Sequence, residues 1–187
     1  MPSRAALATG RYVHQTGHWD NAHPYDGTPE SWHHMVDRAG MNSTSIGKLH
    51  FRTEGRNGFT EEIVPLHVVD GLGDLKGLLR APLPDKKGAD AMALDAGAAT
   101  SEYYLYDCTI TERAVDWLET RDAEDGPFVL FVSLVMPHFP LQVPVEYFAP
   151  YHALGLEALN VGAKVDLHDH PALAALRAYM NYEDYFD

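Results

Sequence analysis

Four side chains in this sequence have the right types to hold and activate a tetrahedral anion: Arg4, Lys48, His50 and His138, with Asn21 as a further polar candidate. Arginine is a permanent planar cation that can grip two oxygens at once, and lysine is a compact, movable point charge. Histidine carries or delivers a proton near neutral pH. Combined with the free N–H groups at the start of a helix, such a set suits sulfate or phosphate. Charge stabilisation and general acid–base catalysis are then both within reach. Each residue taken singly also has an ordinary reading. Arg4 could be a helix-end contact, Lys48 a surface lysine, His138 a structural histidine after a strand, and Asn21 a turn residue.

These side chains need elements to position them. Pro2 and Ser3 open a short helix through Ala5, Ala6, Leu7 and Ala8, and Gly10 stops it, which puts Arg4 in the first turn. Tyr12 to Gly27 has no period and reads as a loop carrying Asn21. Thr28 is the expected N-cap of a second helix, with Pro29 at its first position and Trp32, Met35, Val36 and Ala39 on one buried face. Asn42 to Ile46 reads as a short strand that runs into Gly47-Lys48-Leu49-His50. The two-residue spacing of Lys48 and His50 predicts side chains pointing the same way. Residues 52–100 read as a loop-rich insertion punctuated by glycine and proline, with a strand at Ile63 to Val69 and a solvated excursion from Asp85 to Thr100.

Thr109-Ile-Thr-Glu112 has the form of a capping box and predicts a helix start, with Ile110, Ala114, Trp117 and Leu118 on one face. Phe128 to Val135 is apolar on both faces, the pattern of a strand in the middle of a covered parallel sheet. His138 follows just beyond its C-terminal end, the edge at which ligands bind in open α/β sheets. Pro144 to Tyr151 predicts a helical turn, and Ala172 to Phe186 a final helix. The fold expected is α/β, a mostly parallel sheet flanked by helices.

Composition narrows the function. The 187 residues carry a net charge of −13, and residues 88–187 hold seventeen acidic side chains against four basic ones. There is no basic stripe, which argues against nucleic acid. No apolar run reaches the ~18–20 residues that span a bilayer, and no charged-then-apolar leader is visible at the start. A single cysteine, Cys108, excludes an internal disulfide framework and reads as a small buried apolar residue. His14 with His18, and His168-Asp169-His170, invite a metal reading. The first pair lies in a loop without an acidic partner between them, and the second precedes a proline in an acidic surface stretch, so neither is read as a metal site.

Pro2-Ser3-Arg4 followed by Thr9-Gly10-Arg11 resembles the sulfatase signature Cys-x-Pro-Ser-Arg-x-x-x-x-Thr-Gly-Arg. Gly47-Lys48-Leu49-His50 is similar to the Gly-Lys-x-His segment of that family, and Pro137-His138-Phe139-Pro140 to its Pro-His-x-Pro. Three motifs in the family's order run through the chain. The resemblance looks closest to the bacterial choline-sulfatase and phosphonate-monoesterase side of the alkaline-phosphatase-like superfamily.

The resemblance implies a sulfuric ester hydrolase whose nucleophile is a cysteine converted to formylglycine by a formylglycine-generating enzyme. Arg4 would stabilise the hydrated aldehyde, Lys48 would bind sulfate oxygens, and His50 would orient or deprotonate the hydrate. His138 would assist the departing alcohol oxygen, and Asn21 would be a substrate contact. Calcium or magnesium would be expected in the parent enzyme. Met1 falls at the variable position of the signature, so the cysteine would lie just before it and the metal-binding aspartates further upstream. The Asp-Asn metal pair and a second lysine would lie beyond Asp187. The expectation is therefore an internal, inactive piece of a sulfatase catalytic domain, lacking the first strand and the C-terminal part, that acts in the parent on a small sulfate ester. A phosphonate or phosphate ester hydrolase of the same superfamily, or a non-catalytic anion-binding protein, are the alternatives.

Overall fold

The computed structural model describes residues 1–52, 56–68 and 95–155, together with 171, 174, 175 and 179. The expected final helix and the His168–His170 cluster lie outside the described residues, apart from those four positions. The chain divides into two compact units, the first built from Met1–Pro84 and Tyr106–Val135, the second from Asp85–Leu105 and Met136–Asp187.

In the first unit, three strands form a parallel sheet in the order β2-β1-β4: β1 (Asn42–Arg52), β2 (Glu61–Val68) and β4 (Phe128–Ser133). One core cluster on the sheet contains Leu49, Phe51 and Tyr25 with Ala5 and Ala8 of helix α1 (Pro2–Thr9). A second cluster joins Ile46 to Ile110 and Ala114 of helix α4 (Glu102–Glu119). Helices α2 (Val13–Thr16) and α3 (Trp32–Arg38) complete this unit, α3 packing near β1 and α1. The α/β class expected from the sequence is what these elements form.

The central strand is not the one expected. β4, apolar on both faces, has one partner among the described strands and leaves Phe128 and Val132 about two-fifths exposed. The middle position belongs to β1, whose run from Ser43 to Leu49 is buried despite its hydroxyls. Those hydroxyls are small and largely bonded locally. Ser43 Oγ donates to the Gly58 carbonyl at 3.4 Å, Thr44 Oγ1 to Glu61 Oε2 at 3.3 Å, and the Ser43 N–H donates to Thr60 Oγ1 at 3.1 Å. Side chains that satisfy their own polar atoms can occupy a core at little cost.

Two helix starts also differ. α3 begins at Trp32, not Pro29, because Ser31 is the N-cap: its backbone N–H donates to His34 Nδ1 at 3.1 Å in a reciprocal capping box. His33 is thereby the buried residue of this helix, while Met35 is 55% exposed and Ala39 is exposed too. α4 begins seven residues before the predicted capping box and carries Thr109 in its interior. The effective cap is Ser101, whose Oγ accepts from the Tyr104 N–H at 3.2 Å. Leu118, expected on the buried face, is 51% exposed. The Tyr12–Gly27 loop holds the single turn α2, and Cys108 is half-buried.

Beside α3 lies a buried polar network. His33 Nδ1 and Ser31 Oγ both reach the carbonyl of Asn57. Asn57 Nδ2 donates to Glu62 Oε1 at 2.6 Å, and His67 Nε2 donates to Glu62 Oε2 at 2.5 Å. Burial lowers the His33 pKa from 6.5 to about 4, against the bond to Asn57. The hydrogen bond that His67 donates to Glu62 raises the His67 pKa, and burial raises that of Glu62 less than the bonds it accepts from His67 and Asn57 lower it.

The signs give a pH dependence. His33 is neutral when folded and protonates near its ordinary value when unfolded, so its contribution is complete above pH 6.5 and is lost as pH falls toward 4. The contribution of His67 is complete below its ordinary value and that of Glu62 above its own, so between pH 4.5 and 6.5 this pair adds no opposing slope. Urea unfolding should therefore show a loss of about 2–3 kcal/mol from pH 7 to 4.5. A His33→Asn variant should lose that difference; an unchanged difference would place the acid sensitivity elsewhere.

In the second unit, β3 (Gly97–Ala98) and β5 (Gln142–Val143) pair in parallel, and helix α5 (Val145–His152) confirms the turn expected from Pro144 onward. No helix among the described residues is long and apolar enough to cross a membrane.

Candidate active site

α1 ends where the sequence says it should: Gly10 takes φ 65° and its N–H donates to the Ala6 carbonyl. Its first turn carries Arg4 to the interior of β1 and the C-terminal end of β4. Arg4 Nη1 donates to the Lys48 carbonyl at 2.6 Å and to Ser133 Oγ at 3.2 Å, joining α1 to β1 and β4 across 44 and 129 residues of sequence. Both bonds are made by one nitrogen of a guanidinium that has five N–H donors, so binding capacity remains.

Lys48 is 5% exposed. Burial lowers its pKa, repulsion from Arg4 lowers it further, and Asp107 works in the opposite direction. Burial lowers the Arg4 pKa as well, against the influence of Tyr106. The α-amino group of Met1, also lowered by burial and then by Arg4 and Lys48, donates to Asn21 Oδ1 at 2.9 Å. Asn21 thus stands at the start of α1, exposed. These positive groups act on one another, and the Asp107 carboxylate acts on Lys48 in the opposite sense.

That carboxylate was not among the residues picked from the sequence. Asp107 is buried on α4, and its Oδ1 accepts the Val135 N–H at 2.7 Å just past β4. Its signal was present, since Asp107, Ile110 and Ala114 follow the spacing of one helix face, and a carboxylate in an apolar stripe needs a buried partner. Ser133, the apolar strand's one hydroxyl, was missed in the same way.

The strand that carries Lys48 is distorted beside it. Gly47 has φ 99°, His50 φ 54° and, on β2, Val64 φ 43°. Register shifts flank Lys48 on the β2 side, from Ile46 opposite Ile63 to Lys48 opposite Leu66 and Arg52 opposite Val68. The even alternation assumed for Lys48 and His50 does not run through this stretch: Lys48, Leu49 and Phe51 are buried, whereas His50 is half-buried. Left-handed backbone at a non-glycine residue is uncommon and concentrates at functional sites.

His138 belongs to the second unit. It is exposed, its Nδ1 donates to the Phe139 carbonyl at 2.8 Å, and Tyr103 meets its ring edge-on with centroids 5.3 Å apart. That tautomer leaves Nε2 as the nitrogen with the lone pair, so delivery of a proton from Nε2 requires the imidazolium. His14 stacks on Tyr12, while His18 is buried with both ring nitrogens against the backbone carbonyls of His23 and Thr28. Among the described residues no group of three or more His, Cys, Asp or Glu is arranged to hold a metal ion. The donor set around Lys48 and Arg4 is cationic and does not fit a divalent cation.

A parallel α/β sheet flanked by helices, with an arginine on its first helix and a buried lysine in its central strand, is the class of fold the structure defines. The comparison with known families is specific: the family model described as Sulfatase matches residues 1–181, and the chain belongs to the sulfatase family. It is similar to the uncharacterized sulfatase YidJ of Escherichia coli, at 31% identity over 91% of this chain and 35% of that protein. It is 30% identical to arylsulfatase K of Danio rerio over 73% of this chain and 24% of that protein. The N-acetylglucosamine-6-O-sulfatase of Bacteroides thetaiotaomicron is 29% identical over 73% of this chain and 22% of its own length. A solved structure, BT4656 in complex with its substrate D-glucosamine-2-N,6-O-disulfate, aligns with TM-score 0.49 and 20% identity over 81% of this chain and 28% of that chain. The chain thus spans a quarter to a third of the length of the curated relatives it matches. The family is that of sulfuric ester hydrolases, as the sequence motifs implied; these relatives do not single out its choline-sulfatase side.

Proposed function

We propose that this chain supplies the oxyanion-binding part of an enzyme that hydrolyses a small sulfate ester, and that a formylglycine nucleophile comes from outside residues 1–187. The observation that supports the reading best is Lys48, a lysine 5% exposed in the central parallel strand and electrostatically coupled to a half-buried guanidinium. Arg4 and Lys48 repel one another electrostatically, and a dianion held by both relieves that repulsion. Arg4 and Lys48 bind sulfate oxygens and the charge that grows on them. His50 orients or deprotonates the nucleophile, and Asn21 contacts substrate. A nucleophile here would be made by a formylglycine-generating enzyme. Cys108 is not a candidate, since it lies within α4 and lacks the Pro-Ser-Arg context. Calcium or magnesium, the family's expected ion, does not fit the cationic donor set of Arg4 and Lys48.

The 187-residue chain should give no metal-dependent turnover of an aryl sulfate with calcium; clear turnover would refute the separate origin of the nucleophile. The same chain should still bind inorganic sulfate. At ten times the dissociation constant the stabilisation is about 1.4 kcal/mol, which for this size raises the melting temperature by about 3–5 °C. Lys48 and His50 together favour sulfate over phosphonate, and turnover of paired sulfate and phosphonate esters by the longer enzyme tests that preference.

A further inference from the structure

Ser133 is the one hydroxyl residue of the apolar strand β4, and it ends that strand, buried. In register it stands opposite Gly47 of β1, where the missing side chain lets the two strands close in: a Cβ on Gly47 would lie 2.5 Å from the Ser133 carbonyl oxygen. The next residue along β1 is Lys48. Its carbonyl takes Arg4 Nη1 at 2.6 Å, and Ser133 Oγ takes the same nitrogen at 3.2 Å. Two neighbouring strands thus hold one nitrogen of the guanidinium at a single rung of the sheet. An apolar side chain would suit the strand equally well, but a buried hydroxyl is costly unless it is bonded, and Arg4 supplies that bond.

The geometry has a consequence for how Arg4 can grip an anion. Nη1 carries two hydrogens, both in the guanidinium plane, and the two acceptors use both of them. Held in this way, the nitrogen cannot rotate about its bond to Cζ without breaking a hydrogen bond. With the Lys48 carbonyl alone it could. A guanidinium takes a tetrahedral oxyanion bidentately either end-on, through Nη1 and Nη2, or side-on, through Nε and Nη2. We infer that Ser133 is a positioning residue of the anion site: with the Lys48 carbonyl it commits Nη1 of Arg4, closes the end-on grip, and leaves the Nε–Nη2 edge to hold sulfate side-on. The inference rests on the sulfate-binding reading above.

The test uses the whole 187-residue chain, inorganic sulfate, and 15N NMR of the arginine side chains at low temperature, with the Arg4 signals assigned by their loss in Arg4→Lys. In the unmodified chain the two Nη1 hydrogens should give separate signals, and sulfate should shift Nε and Nη2 while leaving Nη1 in place. Ser133→Ala should release the rotation of Nη1, which a merely structural serine would not govern. By calorimetry it should also weaken sulfate binding about three- to tenfold, the weight of one hydrogen bond. Ser133→Thr, which keeps the hydroxyl, should restore both. A folded Ser133→Ala chain with unchanged sulfate affinity overturns the proposal, and so does a sulfate-induced shift at Nη1. If neither variant folds, the unmodified chain decides: an averaged Nη1 pair overturns the proposal and separate signals uphold it. Absence of sulfate binding by the unmodified chain would instead refute the proposed function. The rotation of Nη1 in Ser133→Ala then judges Ser133 by itself, faster rotation supporting its hold on Arg4 and unchanged rotation overturning it.

Discussion

Replacing Arg4 by alanine should abolish the stabilisation of this chain by sulfate and lower its stability in buffer by about 3 kcal/mol or more. Hydrogen bonds from a charged donor contribute about 1.5–3 kcal/mol each, and Arg4 makes two, to the Lys48 carbonyl and to Ser133 Oγ. Their loss would free the start of α1 from β1 and β4 and leave the hydroxyl of a buried serine without that donor. Arg4→Lys should recover part of the sulfate effect, since it keeps the charge but not the planar fork that serves two acceptors. Melting curves with and without sulfate separate the two losses. A folded Arg4→Ala protein that still gains stability from sulfate would remove Arg4 from the anion site.

The second large effect is expected at Gly47. Its φ of 99° is a conformation L side chains rarely adopt, and a Cβ there would stand 2.5 Å from the Ser133 carbonyl oxygen and 2.6 Å from Ile110 Cδ1. The Ile110 end can shift, but the Ser133 carbonyl belongs to the strand paired with this residue. Left-handed backbone costs a side chain about 1–2 kcal/mol, and overpacking adds about 1–3 kcal/mol, so Gly47→Ala should cost roughly 3 kcal/mol or more. Gly10 is the matched control: its φ is 65°, but a Cβ there meets nothing within 4 Å. Gly10→Ala should cost only the backbone part. Equal losses at the two positions in urea unfolding would mean that the approach of β4 to Gly47 has no energetic weight.

The parts of this fold that were legible are those governed by local rules. Pro2 and Gly10 delimit α1 because both act through the backbone of one turn. The existence of β1, β2 and β4 followed from composition, but their order did not. β4 reads as a central strand because it is apolar on both faces, while β1 occupies the centre with serine and threonine hydroxyls that bond to Gly58 and Glu61, partners no pattern in β1 itself announces. The starts of α3 and α4 were misplaced because several hydroxyl residues compete for each cap, and tertiary contacts choose among them; Thr28 lends its carbonyl to His18 Nε2, while Ser31 caps α3.

For the site, Arg4 and Lys48 could be chosen by residue type and by resemblance, but no spacing links residues 44 apart. Their meeting depends on α1 packing on β1. The distortion around Lys48, which makes the even alternation with His50 fail, comes from the paired irregularities at Gly47 and Val64 on neighbouring strands. Asp107 was the legible residue passed over, a carboxylate in the line of Ile110 and Ala114.

In the proposed function, Arg4 and Lys48 hold one sulfate-like dianion between them. Crystals of the chain soaked in selenate, whose selenium scatters anomalously, test this by position. An anomalous peak is expected within hydrogen-bond reach of both the Arg4 guanidinium and the Lys48 ammonium, lost in Lys48→Met. A peak elsewhere, or one at Arg4 that survives the loss of Lys48, would contradict it.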